Sequence, residues 1–257
     1  MTMLVVCAVA LAASGLTFFS GFGLGTLLLP VFALFFPIEE AVALTAVVHF
    51  LNGLFKLGLV GRHADRGVVL RFGLPAILAA FAGAALLHVL AGLPPVGAWS
   101  LGGRTLAVTP IKLTVGLLLL AFAGLELLPG ADRLAFDRRW LPVGGVLSGF
   151  FGGLSGMQGA LRSAFLARAG LTKEAFVATG VTVSVLIDFT RLGMYGRVLK
   201  AHAAELDWLL LGAAVLAAFA GALLGNLYLK KLTMGAVRRI VAAMLLLVGL
   251  GLAGGLL

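Results

Sequence analysis

The feature that most constrains this chain is a series of apolar runs long enough to cross a lipid bilayer. Residues 41–60, 72–93, 113–128, 175–195, 206–228 and 240–257 each hold at most two Asp, Glu, Lys or Arg. About 20 such residues, wound as a helix, span the hydrocarbon core. Two further apolar stretches, 3–36 and 141–166, are equally long but broken by glycine. Composition agrees, with 61% hydrophobic and 11% charged residues, against roughly 45–50% and 25% in soluble domains. The expectation is an all-α integral membrane protein of 8–10 membrane segments, with no sizeable soluble domain and the lipid bilayer as its first partner.

The net charge of +9 would point to nucleic acid in a soluble protein. Here the basic residues fall mostly in short loops, where they set orientation, so no nucleic-acid partner is expected. Cys7 is the single cysteine and no ligand pair has metal spacing, so neither a metal nor any other cofactor is expected. The first Lys or Arg is Lys56; a signal peptide needs a basic start, so the N-terminus reads as part of the mature fold.

The two halves repeat. "LAAFAGA" at 78–84 recurs letter for letter at 216–222; "EAVALT" ending at Thr45 matches "EAFVAT" ending at Thr179; "KLGLVG" from Lys56 matches "RLGMYG" from Arg191; "SGFGLG" from Ser20 parallels "SGFFGG" from Ser148. Four matches in one order mark a tandem duplication, residues 1–130 and 141–257, forming one integrated membrane domain. Three of the nineteen Lys and Arg, namely Lys56, Arg162 and Arg191, lie inside apolar segments. If each glycine-broken region crossed once, the sixteen others would divide 8 to 8. If each goes in and returns, or crosses twice, they divide 12 to 4, as the positive-inside rule requires. The crossing number per half is then odd, which inverts the second repeat. Each half holds one broken Gly-rich segment plus three transmembrane helices, and both termini lie outside. Inverted repeats characterise secondary transporters that bind substrate near the midplane.

Broken backbone at membrane depth is tolerated where it lines a cavity. Gly21, Gly23 and Gly25 in the first half, and Gly149, Gly152, Gly153, Gly156 and Gly159 in the second, are positions where helices can break and backbone can approach a ligand; close helix packing through small residues is the alternative use of the same glycines. Thr45, His49, Asn52 and Lys56 are spaced 4, 3 and 4, as are Ser184, Asp188, Arg191 and Tyr195, so each set forms a stripe along one helix. Charged groups at such depth are costly and face a cavity or a partner. Two stripes in equivalent places imply a shared polar cavity, although Asp188 and Arg191 can also neutralise each other at i, i+3 and Lys56 can snorkel. Arg162, four residues after Gln158 and beside Ser163, has no acidic neighbour in sequence; its guanidinium matches the oxygens of a sulfonate, sulfate or carboxylate. A small anion is therefore the expected substrate. The expected substrate-binding set is Arg162, Gln158, Ser155, Gly156, Gly159, Ser163, Gly21, Gly23, Gly25, Asn52, Lys56 and Arg191. His49 and Asp188 are expected in coupling or gating.

A glycine-rich broken segment followed by an "EA…T" helix, once per half in a chain of this length, resembles the TauE/SafE family of sulfite exporters. The resemblance covers nearly the whole chain and is strongest over 145–180, "GVLSGFFGGLSGMQGALRSAFLARAGLTKEAFVATG". It implies a bacterial inner-membrane transporter of sulfite, a sulfonate or a related small organic anion, moved outward in several members. The family's usual motif is a run of glycines with a proline a few residues on. Here the first half keeps Gly21, Gly23, Gly25 and Pro30, with Leu24 interrupting; the second has Met157, Gln158 and Ala160, no proline, and Arg162 and Ser163 in that neighbourhood. These changed residues are the expected ligand contacts.

Other functions weigh differently. "GLSG" at 153–156 has the form found in rhomboid intramembrane proteases, but the histidine base that Ser155 would need has His202, in a charged loop, as its single downstream source. A passive anion channel would use the same stripes, and a non-sulfur organic anion the same charges. A coupling ion, proton or sodium, and a homodimer stay open. The topology makes a direct prediction: a C-terminal reporter active only in the cytoplasm is inactive on this protein, and strong reporter activity would refute the 12 to 4 arrangement.

Overall fold

The structure, a computed structural model, describes residues 1–17, 24–128, 130, 134–201, 207–228 and 234–257. Ten α-helices form among them: α1 (Thr2–Leu16), α2 (Leu24–Ala33), α3 (Ile38–Val60), α4 (Arg66–Ala91), α5 (Pro110–Leu127), α6 (Leu141–Ser155), α7 (Gly159–Leu166), α8 (Lys173–Ala201), α9 (Trp208–Tyr228) and α10 (Met234–Ala253). The all-α membrane class holds. Helices α3, α4, α5, α8 and α9 are long and apolar enough to cross a membrane. Their outward faces carry large exposed apolar side chains such as Leu78, Leu117, Phe189 and Leu216, which only a lipid environment accommodates. Trp99, Trp140 and Trp208 are all partly exposed and lie outside or at the start of the helices, as tryptophans at membrane interfaces do.

Between α4 and α5 lies an element that the all-α expectation omitted, an antiparallel hairpin of β1 (Gly97–Leu101) and β2 (Arg104–Val108). The turn is Gly102–Gly103, both at positive φ, the pair of residues that a two-residue hairpin turn matched to strand twist requires. Trp99 Nε1 donates to the Gly254 carbonyl at 2.8 Å, fastening the hairpin to the chain's C-terminal end. At the opposite end of α4, which at 26 residues is about 39 Å long, Asp65 caps the helix through the Val68 N–H at 2.8 Å. The Asp65 N–H donates in turn to Thr179 of α8.

Helices α6 and α7 form a hairpin that returns to the side it started from. The Phe136 N–H, before α6, donates to the Ala164 carbonyl in α7; the Phe136 and Phe165 rings stack with centroids 4.3 Å apart; Asp137 bridges to Arg168 just beyond α7. With 15 and 8 residues, these helices measure about 22 and 12 Å, short of the roughly 30 Å hydrocarbon core. The second broken region is therefore re-entrant. Arg138, Arg139, Arg168 and Lys173 consequently share one end of the molecule, as the 12 to 4 division requires.

The break itself sits at Gly156–Gln158, where Gly156 adopts φ +82 as the C-cap of α6. Gly149, Gly152 and Gly153, grouped above with the glycines at which helices can break, lie within α6. Gly145, Gly149 and Gly153 pack against α4: a Cβ added to them would come within 2.2, 2.1 and 2.2 Å of the carbonyl oxygens of Phe72, Ala76 and Ala80. Close packing is therefore their use. The repeated heptapeptide has the same physical purpose, because Gly83 meets the Phe150 carbonyl of α6 and Gly221 meets the Leu11 carbonyl of α1, each at 2.1 Å from its would-be Cβ. Residues 148–153 lie in α6; of the parallel motif from Ser20, Leu24 and Gly25 begin α2, and 20–23 lie outside the described residues. Gly149→Ala is expected to lower the melting temperature in detergent, an overpacking cost of about 1–3 kcal/mol. Gly212→Ala, with nothing near its would-be Cβ, should raise stability by roughly 0.5–1 kcal/mol; equal effects would contradict the packing account.

Candidate functional site

The site is built where α3 and α8 face each other beside the α6–α7 break. Both predicted stripes are buried: Thr45, His49, Asn52 and Lys56 on α3, and Ser184, Asp188, Arg191 and Tyr195 on α8. At its centre the Asp188 carboxylate, fully buried, accepts from three side chains. His49 Nδ1 lies 2.5 Å from Oδ2, Arg191 Nε lies 2.9 Å from Oδ1, and Gln158 Nε2 lies 3.3 Å from Oδ1. Such a carboxylate needs this many donors, because an ion stripped of water is tolerated only when paired and hydrogen-bonded.

Gln158 carries the network onward, its Oε1 accepting from Arg162 Nη1 at 3.1 Å. The backbone carbonyl of Gln158 accepts from the Arg162 N–H, starting α7, and from Ser148 Oγ at 3.2 Å. Arg162 therefore touches a neutral amide, whereas Arg191 is matched by a carboxylate. Beneath the break, Tyr195 hydroxyl donates to the Gly153 carbonyl. A Cβ on Gly156 would lie 2.6 Å from Arg191 Nη1, so glycine is required there for space as well as for φ. Arg191 Nη1 and Nη2 are buried with no hydrogen-bond partner among the described residues.

Above this layer is a partly open cavity lined by Thr17, His49, Asn52, Lys56, Arg162, Ser163 and Ser184, among others. Its free internal volume of about 50 Å³ suits roughly three or four water-sized groups, the scale of a small oxyanion. Lys56 and Arg162 bring two basic side chains to its wall. The hydroxyls of Ser163 and Ser184 are buried without a protein partner among the described residues, whereas buried polar atoms are normally satisfied. Ser14, from α1, donates its hydroxyl to Asn52 at 3.1 Å and offers its carbonyl to Lys56 Nζ at 3.4 Å.

Of the residues expected at the site, Arg162, Ser163, Asn52, Lys56 and His49 line the cavity, with Gln158, Asp188 and Arg191 forming the network behind it. Gly156 is the break and Gly159 begins α7. Gly25 brings the first broken region to the second, its would-be Cβ lying 3.0 Å from the Gly156 carbonyl and 3.6 Å from the His49 ring. Gly21 and Gly23 lie outside the described residues. Ser155 turns its hydroxyl back to the Phe151 carbonyl of its own helix and is not among the cavity's lining residues; mid-membrane serines bond in this way when no other partner is offered. His202, the base a protease reading would need, lies outside the described residues. Ser14, Thr17 and Gly180 were not singled out by sequence. Gly180, whose would-be Cβ lies in ordinary contact with Arg162 Nε at 3.4 Å, directly follows the "EAFVAT" match.

A multi-pass helical protein with a re-entrant segment beside a buried cavity lined by basic side chains has the build of a membrane transporter. The family model described as sulfite exporter TauE/SafE matches residues 6–252. The chain belongs to that family. A search of the curated proteins found no match.

The central ion network makes a stability prediction. Asp188→Leu should destabilise the protein by about 3–5 kcal/mol, because it leaves Arg191 charged and unpaired. Asp188→Leu combined with Arg191→Leu should recover part of that loss in thermal melts. A double variant less stable than the single would overturn the pairing as the cause.

Proposed function

We infer that this protein moves a small anion, sulfite or an organosulfonate, across the bacterial inner membrane by alternating access, with export as the favoured direction. The observation that carries this reading is the charge of the cavity wall: Lys56 and Arg162 line it, while Asp188 is occupied by His49, Arg191 and Gln158. A cavity lined by a guanidinium, an amine and hydroxyls that have no protein partner among the described residues suits an anion with several acceptor oxygens, which a guanidinium receives in a fork. The small volume favours a compact oxyanion or a short sulfonate over a bulky organic acid.

Alternating access is supported by the way the helices pair. Assigning α1–α5 and α6–α10 to the two repeats, α3 packs on α8 and α5 on α10, while α4 with α6 and α9 with α1 are exchanged partners. Swapping the halves returns these four pairings, the pattern of a two-fold relation. Rocking of one repeat against the other would then expose the cavity alternately. In this reading the twelve-charge end faces the cytoplasm and both termini the periplasm.

Arg162→Ala is expected to weaken anion binding at least about 30-fold, equivalent to about 2 kcal/mol, and Gln158→Ala to abolish detectable binding with the fold retained. Titration of sulfite, sulfate and small sulfonates into purified protein, with thermal melting as the fold control, tests both. Normal affinity in both variants would refute the site. In proteoliposomes, accumulation against a gradient is the expected behaviour, and flux that never exceeds equilibrium would refute alternating access in favour of a channel.

A further inference from the structure

We propose that His49 is a proton-binding site, held in place by Asp188, whose occupancy is coupled to that of the anion, so that one proton accompanies each anion into the cavity. The proposal rests on the anion site described above. His49 Nδ1 is committed to Asp188 Oδ2 at 2.5 Å, and the ring itself lines the cavity. A neutral ring in this position donates Nδ1–H to the carboxylate, leaving Nε2 as the atom that can take up a proton. Protonation forms an N–H bond at Nε2 with a proton delivered by water and breaks no bond in the protein. The ring becomes an imidazolium between a carboxylate and the cavity.

The surroundings determine the sign of the coupling. Asp188 and Arg191 neutralise each other on α8, so the charges nearest the cavity are Arg162 from α7 and Lys56 from α3 itself. The other titratable groups on elements packed against α3 are Lys173, Glu174, Tyr195, Arg197 and Lys200 of α8, Lys112 and Glu126 of α5, and Arg62 and His63 of the turn that follows α3; α2 and α9 bring no Asp, Glu, His, Lys or Arg. A third positive charge beside Lys56 and Arg162 is opposed in an empty cavity and supported once an anion lies there. Anion and proton therefore raise each other's affinity by the same factor. Gln158 joins the two sites physically, donating to Asp188 and accepting from Arg162.

The test is calorimetric titration of sulfate, methanesulfonate and isethionate, whose charge does not change between pH 5 and 8.5, into the full-length protein in detergent. In the wild type the affinity should fall by up to about tenfold per pH unit where the ring loses its proton, and buffers of different ionisation enthalpy should report about one proton taken up per anion. His49→Gln, whose amide can still donate to Asp188, should bind with a weaker pH dependence and take up about one proton fewer per anion. His49→Asn provides the same reading if His49→Gln fails to fold. A pH-flat wild type, or a pH slope and proton uptake as large in the folded variants as in the wild type, overturns the coupling while leaving the anion site standing. Failure of all three anions and of sulfite to bind overturns both.

Discussion

The buried Asp188 carboxylate is the interaction on which the rest of the site depends. An ion at membrane depth is retained only when its donors are all in place, and here they come from three separate parts of the chain: His49 on α3, Arg191 on α8 and Gln158 at the α6–α7 break. The two helices with the polar stripes are thereby fixed relative to each other, and the break is fixed relative to both. The network also sorts the arginines. Arg191 meets the carboxylate, so its charge is largely balanced; Arg162 meets an amide oxygen, so its charge reaches the cavity.

The glycines permit this arrangement. Breaking α6 at mid-depth exposes backbone groups that lipid cannot satisfy, and the answer is to pack the shortened helix backbone-to-backbone against α4 while side chains from the interior reach the break. Ser148 and the Arg162 N–H satisfy the Gln158 carbonyl, and Tyr195 satisfies that of Gly153. The first broken region has a related support, with Gly221 and Gly225 of α9 against Leu11 and Gly15 of α1. Glycine thus serves two purposes in one motif: most of the run lets helices approach, and Gly156 alone turns the chain.

This division explains what the sequence could and could not reveal. The long spans were legible because apolar length is a one-dimensional property, and the two stripes because helical periodicity places residues 3 and 4 apart on one face. The re-entrant return of the second segment was legible indirectly, through the loop charges. What the sequence could not distinguish was the use of each glycine: Gly149 and Gly153 look the same in a string of letters as Gly156, and only the neighbouring α4 backbone decides. Nor does a string of letters show that the Ser155 hydroxyl turns to a partner one turn back. Ser14 of α1 acts through contacts with α3, for which no local pattern exists. The hairpin was in principle visible, as Gly102–Gly103 between β-prone residues is a turn signal, but it was overshadowed by the apolar runs on either side.

A transporter must hold its ligand firmly enough to select it and loosely enough to release it, and the placement of charge here meets both demands. If Arg191 and Arg162 both faced the anion without Asp188, the cavity would carry surplus charge that binds tightly and releases slowly. If Asp188 faced the cavity directly, it would repel the ligand. With a neutral amide interposed, Gln158 separates the carboxylate from the anion while keeping Arg162 in line. Because that amide stands at the break between α6 and α7, any movement of the break alters how Arg162 is presented. Ligand affinity and segment position are then a single variable, which is what a change of access requires.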